Sequence, residues 1–266
     1  GEPANMDAFQ EIRDKYGVAI IEDCAHAHGS EWRGKRVGSL GDIGAFSFQE
    51  SKNLPAGEGG AITTDNEERY EYAFSVHHVG RKRVGGEWYE HYILGANMRM
   101  TEFQAAILLS MMDKMEDEFK RREGNALYLD SLLKEIEGII PQERDWRVNR
   151  RAYHLYVFRY QKESFGGAER DAFIRALNAE GIPCPAGYSL LCDAPVYTQG
   201  NFGPFSKLLR DEKFVREPLT NARILEKESV WLFHTLLLGD KSDVEDIAEA
   251  IRKIKENVDE LRKVEI

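Results

Sequence analysis

A single lysine, set in a small-residue turn between two short strands, constrains this chain more than any other feature. Residues 45–48 (Ala-Phe-Ser-Phe) read as a short aromatic strand, and Gln49-Glu50-Ser51-Lys52-Asn53-Leu54 then breaks into a turn. After Gly57-Glu58-Gly59-Gly60 the chain resumes as a second strand, Ala61-Ile62-Thr63-Thr64. Desolvating an amine at a buried strand end favours its neutral form, whose lone pair attacks carbonyl carbons. A lysine in an ordinary turn is solvated surface. The neighbours decide between these readings.

Upstream, Val18-Ala19-Ile20-Ile21 is a continuous apolar run rich in branched residues, which predicts a strand buried on both faces of a parallel sheet. It leads into Glu22-Asp23-Cys24-Ala25-His26-Ala27-His28-Gly29. Ligands of open α/β sheets sit at the carboxyl ends of strands. Asp23 and His26 are therefore candidate site residues, the alternative being a capping aspartate and a loop histidine. Before this strand, Met6, Phe9, Ile12 and Tyr16 space a helix that Gly17 stops. After it, residues 32–37 predict a hairpin turning at Gly34. The Gly57–Gly60 stretch lacks the GK[ST] of a phosphate-binding loop and reads as a turn.

Residues 66–76 predict a helix, and 79–94 a loop carrying Gly85, Gly86, Trp88, Tyr89 and His91. Thr101 with Gln104 fits a capping box opening the longest helix. Its stripe Phe103, Ile107, Met111, Met115 and Phe119 reads as core. That helix is expected to run to about Ile136, with Gly124 its weak point, and to join two domains, 1–125 and 126–266. In the second, residues 153–160 predict a strand, 169–180 a helix ended by Gly181, and 182–188 a loop or edge strand because of its prolines. Residues 192–219 read as irregular and 230–238 as a short strand and turn. A terminal helix is expected from a capping box at Ser242 and Glu245, with Val244, Ile247, Ile251, Ile254, Val258 and Leu261 on one face.

The 266 residues carry 36 basic and 46 acidic side chains, a formal charge of −10, which argues against non-specific attraction to nucleic acid or anionic membranes. No apolar run approaches the ~18 residues of a membrane span, and the first residues do not form a signal peptide. Cys24, Cys184 and Cys192 lack CxxC spacing, so reduced thiols and a cytoplasmic location are expected. Asp23, Cys24, His26, His28, His77 and His78 are competent metal ligands, yet no HExxH-type spacing joins them, and no metal is expected.

Taken together, residues 21–30 (IEDCAHAHGS), 38–64 (GSLGDIGAFSFQESKNLPAGEGGAITT) and 94–106 (LGANMRMTEFQAA) resemble the DegT/DnrJ/EryC1/StrS family. These are enzymes of the aspartate-aminotransferase fold type that use pyridoxal 5'-phosphate (PLP), mostly to aminate keto-sugars and keto-cyclitols. The motifs EGIPCPAGY (180–188) and VWLFHTLLLG (230–239), with AIRKI (250–254), are most similar to the glutamine-dependent scyllo-inosose aminotransferases.

The resemblance implies an α/β fold: part of a large PLP-binding domain in 1–125, then a smaller α+β domain. It implies that Lys52 forms a Schiff base with the cofactor and shuttles a proton, and that Asp23 faces the pyridinium nitrogen. It further implies that His26 bonds the 3'-oxygen, that Ser47 contacts the phosphate, and that Asn97 reaches the phosphate of a neighbouring subunit, making the active site a homodimer property. Family members that dehydrate carry His at the position of Lys52, so the lysine favours transamination, with glutamate or glutamine as amino donor. By charge alone, Arg81 and Arg99 are candidates for the donor carboxylate, the alternative being a structural role. Gly1-Glu2-Pro3-Ala4-Asn5-Met6-Asp7-Ala8-Phe9 is similar to a segment from the middle of the family's large domain, so an N-terminal part that cradles the phosphate is expected to be missing from this chain. Against this reading stand a PLP lyase or dehydratase of the same fold, and a catalytically silent sensing or assembly protein.

Overall fold

The computed structural model describes residues 1–207 and 218–263. In chain order the elements are helix α1 (Met6–Tyr16), strands β1 (Ile21–Asp23), β2 (Glu31–Trp32), β3 (Lys35–Arg36), β4 (Ile43–Ser47) and β5 (Gly60–Thr63), and helices α2 (Glu67–His77) and α3 (Glu102–Leu133). Strands β6 (Ile139–Pro141), β7 (Val148–Arg150) and β8 (Leu155–Tyr160) follow, then helices α4 (Arg170–Ala179), α5 (Pro195–Thr198) and α6 (Thr220–Glu228). Strand β9 (Ser229–Phe233) and helices α7 (Lys241–Glu256) and α8 (Val258–Leu261) complete the described chain. Two compact units result: residues 1–127 with 143–155, and 128–142 with the described residues from 156 onward. No described helix is long and apolar enough to cross a membrane.

In the first unit, β1 pairs parallel with β4, and β4 antiparallel with β5. The expected strand at Val18–Ile21 starts later and is not buried on both faces. Ile21 is 69% exposed, Glu22 is buried and Asp23 exposed, because β1 is an edge of a three-stranded sheet. The hairpin forms as expected: Arg33 and Gly34 both take left-handed backbone (φ 49° and 77°), the twist that suits a two-residue turn. Strand β7 extends this ribbon to three strands. Gly44 has no room for a side chain, since a Cβ there would lie 2.4 Å from Gly38 Cα and 2.5 Å from Thr63 Oγ1.

Helix α1 forms where its spacing predicts, opened by Asn5, whose Oδ1 accepts the Ala8 N–H at 3.4 Å, and closed by Gly17 at φ 66°. Only Met6 of its apolar stripe is buried, packed with Cys24, Ala27 and Trp32; Phe9, Ile12 and Tyr16 are exposed. Thr101 and Gln104 make a reciprocal cap, with Gln104 N–H to Thr101 Oγ1 at 3.3 Å and Thr101 N–H to Gln104 Oε1 at 3.0 Å. Helix α3 then runs through Gly124 without a break. Its stripe is only partly core: Phe119 is buried and Met111 and Met115 pack on Phe48, Leu54 and Ala56, but Phe103 is 86% exposed.

The second unit is built on the sheet β6-β8-β9. Strand β8 alternates half-buried and buried residues, and Tyr160 stacks on Phe173 of α4 at 4.6 Å. Helix α7 packs against α4, and its Val244, Ile247 and Ile251 are buried. Its cap differs from expectation: Asp240 accepts the Ser242 and Asp243 N–H groups, and Asp243 accepts that of Asp240. The box therefore sits two residues before Ser242 and Glu245. The expected continuous terminal helix breaks at Asn257. The described part of residues 192–219 contains the short helix α5 and a 3-10 turn at Gly203–Phe205, and residues 208–217 of that stretch lie outside the described chain.

Candidate active site

Parallel pairing of Ile21 with Ile43 and Asp23 with Ala45 aligns the carboxyl ends of β1 and β4. The 24–28 loop and the Lys52 turn thus leave the sheet at the same end. The turn is ordered locally: the Gln49 carbonyl accepts the Lys52 N–H at 2.9 Å, and Gln49 Oε1 accepts the Ser51 N–H at 2.9 Å and its hydroxyl at 2.6 Å. Phe48 N–H to Gly59 carbonyl (2.8 Å) and Ala56 N–H to Phe48 carbonyl (2.7 Å) pin its two ends.

Lys52 is half-buried and Asp23 exposed, and among the described residues neither makes an ion pair. Asp23 Oδ1 accepts the Ala25 N–H at 3.1 Å. His26 feels both groups. Burial pushes its pKa below the ordinary value, the Lys52 ammonium pushes the same way, and Asp23 opposes them. His26 is therefore biased towards its neutral form and feels both the Lys52 amine and the Asp23 carboxylate. Its face lies against His154, with centroids 4.0 Å apart and planes tilted by 32°.

His28 lies deeper, 3% exposed and against Phe46 and Phe48. Burial drives its pKa down to about 4, tempered by the Ser47 carbonyl and reinforced by Lys52. Ser47 is half-buried, and its Oγ accepts the Gln49 N–H at 3.3 Å. Asn97 is exposed, bridges His78 through the backbone, and accepts the Arg99 N–H at 3.4 Å.

Asp23 and Lys52 thus both act on the His26 ring, and Ser47 ends β4. Asn97 makes none of its hydrogen bonds to these four. Among the described residues no three His, Cys, Asp or Glu side chains converge to hold a metal ion. Two residues of this neighbourhood carry no sequence signal of their own, Asn53 and His154, which meet at 3.1 Å across 101 positions of chain.

Similarity to known proteins agrees in fold and in sequence. The L-glutamine:2-deoxy-scyllo-inosose aminotransferase of Streptoalloteichus tenebrarius is 34% identical over 277 residues, covering 97% of this chain and 64% of the relative. The 3-amino-5-hydroxybenzoate synthase of Amycolatopsis mediterranei is 34% identical over 253 residues, 94% of this chain and 64% of the relative. A crystal structure of 3-amino-5-hydroxybenzoic acid synthase superposes with a TM-score of 0.80 at 33% identity, over 95% of this chain and 64% of that one. The chain therefore spans just under two thirds of the length of these relatives. Residues 1–252 match the DegT/DnrJ/EryC1/StrS aminotransferase family, and the aligned strand ends, the Lys52 turn and the α/β fold around them all follow from this chain being a member of it.

Proposed function

We propose that this chain carries the lysine-bearing part of a PLP-dependent aminotransferase that moves an amino group from glutamine or glutamate to a keto-cyclitol or keto-sugar. The observation that carries the reading is the pairing on His26 of an amine, Lys52, and a carboxylate, Asp23, neither of which has an ion-pair partner among the described residues. A scaffold has no use for that arrangement.

The donor set suits PLP. Lys52 Nζ would hold the aldehyde covalently and carry a proton to and from the substrate carbon, since a released amine stays beside the carbon it must deprotonate. The Asp23 carboxylate would keep the ring nitrogen protonated. His26, a neutral ring, would donate to the 3'-oxygen, and the Ser47 hydroxyl would donate to the phosphate. Asn97, exposed on its bridge, would serve the phosphate of a second subunit in a homodimer. The cofactor itself supplies the electron sink. Residues 1–125 are read as the C-terminal part of the PLP-binding domain and 126–266 as the smaller domain.

Arg81 and Arg99 are assigned to the donor carboxylate. In a chain with ten excess acids, neither pairs with a carboxylate among the described residues. Arg81 lies 4.6 Å over the Tyr89 ring, and Arg99 Nη1 is 3.4 Å from His78 Nδ1. The kinship with glutamine:inosose aminotransferases supports the substrate class.

The test is to add PLP to the purified chain, follow visible absorbance, reduce with borohydride and map the labelled peptide. Label on Lys52, abolished with the colour in Lys52→Ala, is expected. Colour and label that survive the substitution would overturn the assignment.

A further inference from the structure

The segment Ala152–His154 is tied to both functional stretches at once. Ala152 N–H donates to Ser30 Oγ at 2.9 Å, on the loop that carries His26, and the Ala152 carbonyl accepts from Asn53 Nδ2 at 2.8 Å, next to Lys52. A carbonyl only accepts, so this bond fixes which end of the Asn53 amide is nitrogen. Asn53 Oδ1 must then face His154 Nδ1, 3.1 Å away, and Nδ1 must carry the hydrogen. The His154 tautomer is set by a bond made two residues earlier. The same imidazole lies under the His26 ring at 4.0 Å.

Burial and backbone show how closely the segment is held. Asn53 is 2% exposed and His154 5%. Tyr153, between Ala152 and His154 in the chain, takes φ 49° while buried, a left-handed conformation that a bulky residue keeps only when its surroundings over-determine it. One edge of the imidazole therefore fixes the lysine turn, and one face supports His26.

We propose that His154 and Asn53 are positioning residues, a lock that sets Lys52 and His26 relative to each other without touching substrate. The inference rests on the reading of Lys52 as the reacting amine. Asn53 is the next residue after Lys52, so loosening its amide lets the lysine Cα swing. Misplacing a reacting group by about 1 Å costs on the order of 10²-fold in rate.

The experiment compares His154→Phe, His154→Ala, Asn53→Ala and Asn53→Asp, with thermal unfolding measured on each. The first readout is the His26 titration by imidazole NMR on cofactor-free protein. His154→Phe should leave it unmoved, because a ring still covers His26. His154→Ala should raise its pKa towards the ordinary value, because burial is the main cause of its depression. The second readout is the rate at which PLP and borohydride trap Lys52. His154→Phe and Asn53→Ala should each slow it about tenfold, and Asn53→Asp, which keeps an acceptor for His154 but sets an oxygen against the Ala152 carbonyl, should slow it at least as much as Asn53→Ala.

Trapping rates that match wild type in folded variants, or that merely follow melting temperature across the set, would overturn the proposal. So would a His26 titration unmoved in His154→Ala. Absence of trapping in the wild type would instead count against Lys52 as the reacting amine, while the titration still reports on the lock.

Discussion

Glu22 accepts the backbone N–H of Gly38 on Oε2 at 2.9 Å, from within the strand that also carries Asp23. Its other oxygen accepts the Leu40 and Gly41 N–H groups, both at 2.7 Å. A buried carboxylate thus ties the loop before β4 to β1, satisfying three backbone donors where no strand partner is available. This tether holds the two strand ends that present Asp23 and Ser47.

Replacing Glu22 by Gln keeps shape but puts an NH₂ where an acceptor stood, so at least one N–H loses its partner. Glu22→Gln is expected to cost roughly 1–3 kcal/mol, the usual cost of a buried unsatisfied donor. A urea midpoint equal to wild type would show that the loop holds without this tether.

The three thiols should separate by reactivity. Burial, then the charges of Glu22 and Asp23, push Cys24 up to about 12, and burial alone pushes Cys184 up to about 11. Thiolate is the reacting form, so both should resist a neutral-pH disulfide reagent until the protein unfolds. Cys192 is partly exposed and should label first. Peptide mapping after brief labelling checks the order, and early modification of Cys24 contradicts it.

The strand ends and caps were legible where their signals are local. Asp23, His26 and Lys52 lie at strand ends that short apolar runs announce, and Thr101 with Gln104 make a cap whose two halves are three residues apart. Reading failed where the deciding partner is not local or where two local signals overlap. Asp240-Lys241-Ser242-Asp243 offers an acid-based box just ahead of Ser242 and Glu245, and the helix begins at the earlier one. Periodicity placed Phe103 and Phe119 on one stripe of α3 but does not say what lies against each turn, and one is exposed while the other is buried. His154 carries no pattern that points to Asn53, because their bond joins residues 101 apart.

Arg81 and Arg99 should separate amino donor from acceptor. Losing a charge-assisted contact to a carboxylate costs about 1.5–3 kcal/mol, so Arg81→Ala or Arg99→Ala should raise the donor KM by ~10- to 100-fold. The KM for the keto acceptor should stay within about twofold. Steady-state kinetics of an active assembly, with glutamine and an inosose varied in turn, measures both. Equal effects on the two substrates would remove these arginines from the donor site.

His28 should shape the acid limb of stability. Its pKa is about 4 in the folded protein against an ordinary value of 6.5. Between those values the unfolded chain binds a proton that the folded one excludes, so stability falls as pH drops from 6.5 to 4 and levels off below. At 1.36 kcal/mol per pH unit the loss is roughly 3 kcal/mol at most. Asp7 and Asp145 act in a lower window. Hydrogen bonds, from Arg33 to Asp7 and from Arg147 to Asp145, hold both near 2, so their contributions fade only as pH falls from about 4 towards 2. His28→Phe keeps a ring between Phe46 and Phe48 and has nothing to protonate. Its unfolding free energy should therefore fall less steeply than wild type's from pH 6.5 to 4, the remaining slope coming from His26 and His78, whose pKa values are also depressed, and an unchanged slope in that window would show that His28 does not titrate there.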